Sequence, residues 1–73
     1  MKILIEYCVV WHYGPQAASL AKAIEEKYGV KPQMKKSGGG VFEVFVDGKL
    51  IFSKKETGRF PELDEILAQI TQP

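Results

Sequence analysis

Val41-Phe42-Glu43-Val44-Phe45-Val46, then Asp47-Gly48, then Lys49-Leu50-Ile51-Phe52-Ser53, is the stretch that decides the fold. The first run is rich in β-branched and aromatic residues and contains no proline, so it reads as a strand. Asp-Gly suits two consecutive positive-φ positions, which a tight two-residue hairpin needs if its twist is to match that of its strands. The second run is therefore the antiparallel partner of the first. An isolated hairpin is marginal in water, so the rest of the chain has to cover it.

Toward the N-terminus, Gly38-Gly39-Gly40 interrupts the chain. Before it, Val30 to Ser37 can form a strand, and Pro32 with Lys31, Lys35 and Lys36 places that strand at a sheet edge. Lys2 to Cys8 reads as another strand, with Ile3, Ile5 and Tyr7 on one face and Leu4, Glu6 and Cys8 on the other. Apolar residues on both faces suit a central position. Between these strands, Gly14 or Pro15 to Tyr28 predicts a helix: Ala17, Leu20, Ala21, Ile24 and Tyr28 form a stripe, and Gly29 stops it. Toward the C-terminus, Lys54 to Arg59 reads as a polar loop. A last helix is expected from Pro61 to about Ile70, burying Leu63, Ile66, Leu67 and Ile70. Glu62, Asp64 and Glu65 fall in its first turns, where they complement the helix dipole.

The order is β-α-β-β-β-α. It predicts an α+β two-layer domain spanning residues 1–73, with a four-stranded mixed sheet and two helices on one face. At 73 residues there is room for one domain, and such a chain buries only about 60% of its unfolded surface. One cysteine forms no internal disulfide, and Cys8 with His12 falls short of a structural zinc site, so no metal is expected. Stability rests on packing, in keeping with an apolar fraction of 45%. No apolar run approaches the roughly 20 residues needed to cross a bilayer. Met1 to Glu6 is poor material for a signal peptide, and with a lone thiol this leads to the expectation of a reducing, cytoplasmic setting. A net charge of +1 gives no general attraction to nucleic acid or membrane.

Cys8 is the one candidate for covalent chemistry, at the carboxyl end of the first strand and just before the first helix. Open sheets place sites at that end, and the unpaired N–H groups of a helix start stabilise a thiolate. A reactive role requires that Cys8 be reachable by solvent. The competing reading is a buried cysteine packing as a small hydrophobe. His12 reads first as an exposed loop side chain and second as a group tuning Cys8. Trp11 and Tyr13 either form an exposed aromatic patch or pack over the sheet end. Gly38-Gly39-Gly40 precedes a strand and lacks the Gly-Lys-Ser/Thr ending of phosphate loops; it lets the backbone turn, or approach the Cys8 loop as part of a binding surface. The lysines at 31, 35, 36, 54 and 55 read as solvated and edge-protecting.

Ile5-Glu6-Tyr7-Cys8, the helix after it, Gly40-Val41-Phe42-Glu43-Val44 through Asp47-Gly48-Lys49-Leu50-Ile51-Phe52-Ser53-Lys54-Lys55, and Gly58-Arg59-Phe60-Pro61 together resemble the selenoprotein W family, also called Rdx. The likeness covers nearly the whole chain. It implies a thioredoxin-like fold, a Cys-x-x-Cys or Cys-x-x-selenocysteine motif after the first strand, and thiol-based cell redox homeostasis. The motif here reads Cys8-Val9-Val10-Trp11: Cys8 matches the first member, and Trp11 occupies the cysteine- or selenocysteine-equivalent position. Indole neither attacks a disulfide nor resolves one, so no intramolecular dithiol cycle is open to this chain. Mixed disulfides with glutathione or protein thiols remain open, with glutathione as a thiol co-substrate and no bound cofactor. The selenocysteine codon UGA is one base from UGG, so Trp11 stands either for a replaced selenocysteine or for a lineage that lost its second redox residue. By this resemblance the site comprises Cys8 and Trp11, flanked by Val9, Val10, His12, Gly39 and Gly40 as binding residues. A non-catalytic module that docks a protein on the Val9–Tyr13 loop is the alternative.

Overall fold

A computed structural model describes residues 1–70. Its centre is β1 (Ile3–Cys8), flanked by β2 (Gln33–Ser37) and β3 (Phe42–Val46), with β4 (Lys49–Ser53) outside β3, so the strand order is β2-β1-β3-β4. β1 runs parallel to β2 and antiparallel to β3, and β3 is antiparallel to β4. The sheet is therefore mixed, with β1 central as its two-sided apolar pattern predicts.

Helix α1 (Gly14–Tyr28) crosses from β1 to β2. Ala17, Leu20 and Ile24 on its inner stripe pack against Ile3 and Ile5 of β1, Phe42 and Val44 of β3, and Phe52 of β4. Ile66 and Ile70 of the last helix, α3 (Leu63–Ile70), close the same core, so both long helices lie on one face of the sheet. The Tyr28 hydroxyl donates to the Leu67 carbonyl at 2.9 Å and ties α1 to α3. The other face carries Leu4, Glu6, Glu43 and Phe45, all half-buried.

Three local expectations are corrected. The Lys54–Arg59 loop contains a one-turn helix, α2 (Lys54–Thr57), and so the described residues form three helices rather than two. Its polar residues carry no apolar period; it is held by the Thr57 hydroxyl donating to the Ser53 carbonyl at 3.1 Å and by the Gly58 N–H returning to the Lys54 carbonyl at 2.7 Å. The last helix starts at Leu63 rather than Pro61, and Leu63, expected to be buried, is 44% exposed because it sits in the first turn, ahead of the Ile66 and Ile70 stripe that meets the core. Glu62 acts as its N-cap, its N–H donating at 3.0 Å to the carboxylate of Glu65, one half of a capping box. β2 begins at Gln33 rather than Val30, with Pro32 buried and Val30 packed against the core.

The hairpin forms on Asp47 (φ 51) and Gly48 (φ 84), the paired left-handed geometry that Asp-Gly favours. The β3–β4 ladder then slips: Phe45 pairs with Leu50 but Val44 with Phe52, leaving Ile51 as an extra residue. That bulge reverses the facing within β4. Leu50 is exposed and Phe52 buried, although strict alternation would put them on the same side.

Candidate functional site around Cys8

Cys8 ends β1, and its main chain is fixed on two sides. Its N–H donates to the Val41 carbonyl at 2.8 Å, and its carbonyl accepts the Tyr13 N–H at 3.1 Å, where α1 begins. Val9 N–H donates to the Ser37 carbonyl and His12 N–H to the Val9 carbonyl, each at 3.0 Å. The turn at residues 9–12 is thus tied to the end of β2 and folds back on itself. His12 takes the left-handed conformation (φ 62) that this reversal requires.

That reversal brings the Trp11 N–H to 3.3 Å from the Cys8 Sγ. An amide aimed at the sulfur is a donor for negative charge on it while the turn is closed. It also contributes to a correction: Cys8 is not reachable by solvent but has 0% exposure. The main core cluster nonetheless leaves Cys8 out. Alternation along β1 puts its side chain on the face opposite Ile3 and Ile5, and its own turn reaches the sulfur through the Trp11 N–H. Val9, Val10 and Trp11 of that turn are exposed, Val10 by 74% and Trp11 by 60%.

Of the residues singled out in the sequence, the structure joins Cys8 to Trp11 through the amide and Trp11 to Gly40 through the ring. Gly40 (φ +73) is buried, and a Cβ built on it falls 2.8 Å from Cζ3 of Trp11. The indole therefore lies directly on the Gly40 backbone, and a side chain at Gly40 would have to displace it. A Cβ on Gly39 meets the Lys55 Nζ at 3.8 Å rather than the turn. The His12 side chain is exposed and, among the described residues, makes no hydrogen bond or ion pair to Cys8.

Sequence reasoning passed over the aromatic foundation of this turn. Trp11 stands edge-on to Tyr13 at 6.1 Å, Tyr13 to Phe60 at 4.8 Å, and Phe60 to Phe42 at 5.4 Å. The Lys54 ammonium sits 5.5 Å from the Tyr13 ring and 5.2 Å from that of Phe60. Phe60 is held by its neighbours: Arg59 donates to both carboxylate oxygens of Glu65 at 2.9 Å and to the Phe60 carbonyl at 3.1 Å. This hydrogen-bonded pairing lowers the Glu65 carboxyl to about 2 and raises the Arg59 guanidinium. The signal was present as Gly58-Arg59-Phe60-Pro61, but nothing local in that tetrapeptide says which ring Phe60 will meet.

A shallow groove of about 110 Å³ lies on the far side of Phe42 and Phe60, bounded by Gln16, Ser19, Leu20, Pro61 and Leu63; Cys8 takes no part in it. Among the described residues no group of three or more histidine, cysteine, aspartate or glutamate side chains is placed to hold a metal, and no helix is long and apolar enough to cross a membrane.

Known proteins share this fold. A selenoprotein W-related protein from Vibrio cholerae superimposes with a TM-score of 0.89 at 25% identity, over 94% of this chain and 90% of that one. A protein from Bordetella parapertussis gives the same score at 24% identity, over 94% and 91%, which bears on the fold alone. In sequence, the chain is similar to migration and invasion enhancer 1: 34% identical over 71 residues to the Bos taurus protein, and 35% over 69 residues to the Mus musculus one. It covers 62% and 60% of the length of those two relatives, against 96% and 93% of its own. Residues 2–72 match the model of the Rdx family, and the chain belongs to that thioredoxin-like, redox-type family.

Proposed function

We propose that this protein is a thiol redox protein of the selenoprotein W type, in which Cys8 forms mixed disulfides with glutathione or protein thiols. The observation that carries the reading is the Trp11 N–H directed at the Cys8 Sγ at the rim where β1 gives way to α1. In the forward step the turn beside Cys8 opens, Cys8 gives its proton to solvent, and its thiolate attacks one sulfur of glutathione disulfide. The Cys8–glutathione bond forms as the glutathione disulfide bond breaks, and one glutathione thiolate leaves. In the return step an external glutathione thiolate attacks the glutathione sulfur, and Cys8 departs as thiolate. Trp11 takes no electrons in either step, so release depends on the external thiol, which suits a reducing, cytoplasmic setting. Its amide meets the sulfur in the closed turn, before and after the exchange.

Incubation with glutathione disulfide, read by intact mass, tests this: one glutathione adduct is expected, absent in Cys8→Ser and removed by reduced glutathione. No adduct on the folded protein would end the reading. Sequencing codon 11 of the source gene decides whether Trp11 replaces a selenocysteine, which UGA there would establish.

The exposed Val9, Val10 and Trp11 favour one second reading, a docking module on the same turn. Under reducing conditions Cys8→Ser would then keep full affinity for captured partners; a loss of capture favours the thiol.

A further inference from the structure

We propose that Gly40 and Trp11 form a latch over Cys8, with Gly40 the positioning residue whose missing side chain keeps the latch shut. This inference concerns access to the thiol and rests on the redox reading above. Cys8 is fully buried, yet it lies outside the main core cluster, and its sulfur is met by the Trp11 N–H of the exposed four-residue turn that follows it. That turn is held at Trp11 by two features: the amide on the Cys8 Sγ and the ring on the Gly40 backbone. Gly40 precedes Val41, whose carbonyl accepts the Cys8 N–H, so the seat of the ring and the end of β1 belong to one hydrogen-bonded unit. For Sγ to meet a disulfide the turn has to lift, and lifting it takes the indole off Gly40. His12, left-handed without being glycine, sits inside the same turn and lowers the cost of opening. Local openings of this kind involve few buried contacts and leave the rest of the fold in place.

The test compares Gly40→Ala with Gly29→Ala. Both glycines are left-handed, at φ +73 and φ +70, so the backbone strain of the substitution is matched; the Gly29 Cβ meets nothing within 4 Å, whereas that of Gly40 strikes the indole. Trp11→Ala removes the ring and keeps the amide. Iodoacetamide alkylation of Cys8 in the folded protein is timed by mass spectrometry. Acrylamide quenching of the single tryptophan follows the indole in the chains that retain it. Gly40→Ala is expected to alkylate about tenfold faster than Gly29→Ala, a shift of ~1.4 kcal/mol in the opening equilibrium, with stronger quenching, and Trp11→Ala to match the faster rate. Rates for Gly40→Ala and Trp11→Ala less than about threefold above those of Gly29→Ala and the parent chain overturn the latch, as does a thiol that stays unmodified in every folded variant. Treating the same samples with glutathione disulfide separates the two claims. Alkylation that follows the latch without any glutathione adduct keeps the latch and removes the redox reading, whereas adducts at equal rates in all variants do the reverse.

Discussion

Two turns at opposite ends of the β1–β3 pair each place a residue other than glycine in the left-handed region: Asp47 at φ 51 and His12 at φ 62. At the hairpin end, the Asp47 N–H donates to the Lys2 carbonyl at 2.7 Å and its carboxylate accepts the Lys2 N–H at 2.8 Å. Those two bonds offset a conformational cost of about 1–2 kcal/mol. At the Cys8 end the His12 side chain secures nothing comparable among the described residues, and the turn exposes Val9, Val10 and Trp11 instead. One turn satisfies its polar groups and fixes a register. The other keeps its strain and presents apolar surface, as functional turns do.

The largest effect that separates the two ends belongs to Phe42, 1% exposed and in ring contact with Tyr13 and Phe60. Phe42→Ala is expected to cost about 3–5 kcal/mol in urea unfolding, much of the stability of so short a chain. A loss below about 1.5 kcal/mol would show that the Cys8 end does not stand on this ring. Next in size, Gly48→Ala is expected to lose about 1–2 kcal/mol by forcing a Cβ into φ 84, while leaving Cys8 alkylation at its original rate. A changed alkylation rate would mean that the two ends are coupled through β3. His12→Gly removes left-handed strain of about 1–2 kcal/mol and adds about 0.5–1 kcal/mol of unfolded-chain entropy, for a net gain between zero and about 1.5 kcal/mol. Destabilisation in the same assay would mean that the turn is unstrained.

The smallest effect lies in acid. Glu65 is held at about 2, below its ordinary value, so the unfolded chain binds its proton first as pH falls. The stabilisation is complete above about pH 4.5 and is lost as pH drops from there through about 2. Melting temperatures across that window should fall less steeply for Arg59→Met than for the parent chain; parallel curves would show that the pair contributes nothing.

Legibility in the sequence followed how local each cause was. Asp47-Gly48 contains its own reason for turning, and the stripe from Ala17 to Ile24 contains its own face, so the hairpin, α1 and the central place of β1 could be read directly. The one-turn helix at Lys54 could not, because hydrogen bonds from Thr57 and Gly58 make it and no apolar period marks it. The start of α3 shifted for a similar reason, the Glu62–Glu65 cap being a pairing that composition does not announce. Around Cys8, the strand-end position was legible and the burial was not: coverage of the sulfur arises from a backbone reversal at His12. The meeting of Trp11 with Gly40 joins residues distant in the chain, and no local spacing encodes it.

Ile51 decides what the outer rim of β4 offers to another molecule. With one residue too many in the ladder, the outward amides and carbonyls of β4 lose the even spacing that an incoming strand must match. On the opposite rim, Lys35 and Lys36 would meet their own like charges in a second copy. The sheet thus blocks edge-to-edge templating by geometry on one side and by repulsion on the other. A chain shortened by Ile51 alone would keep its charges and gain a straight rim, the starting point for fibril growth.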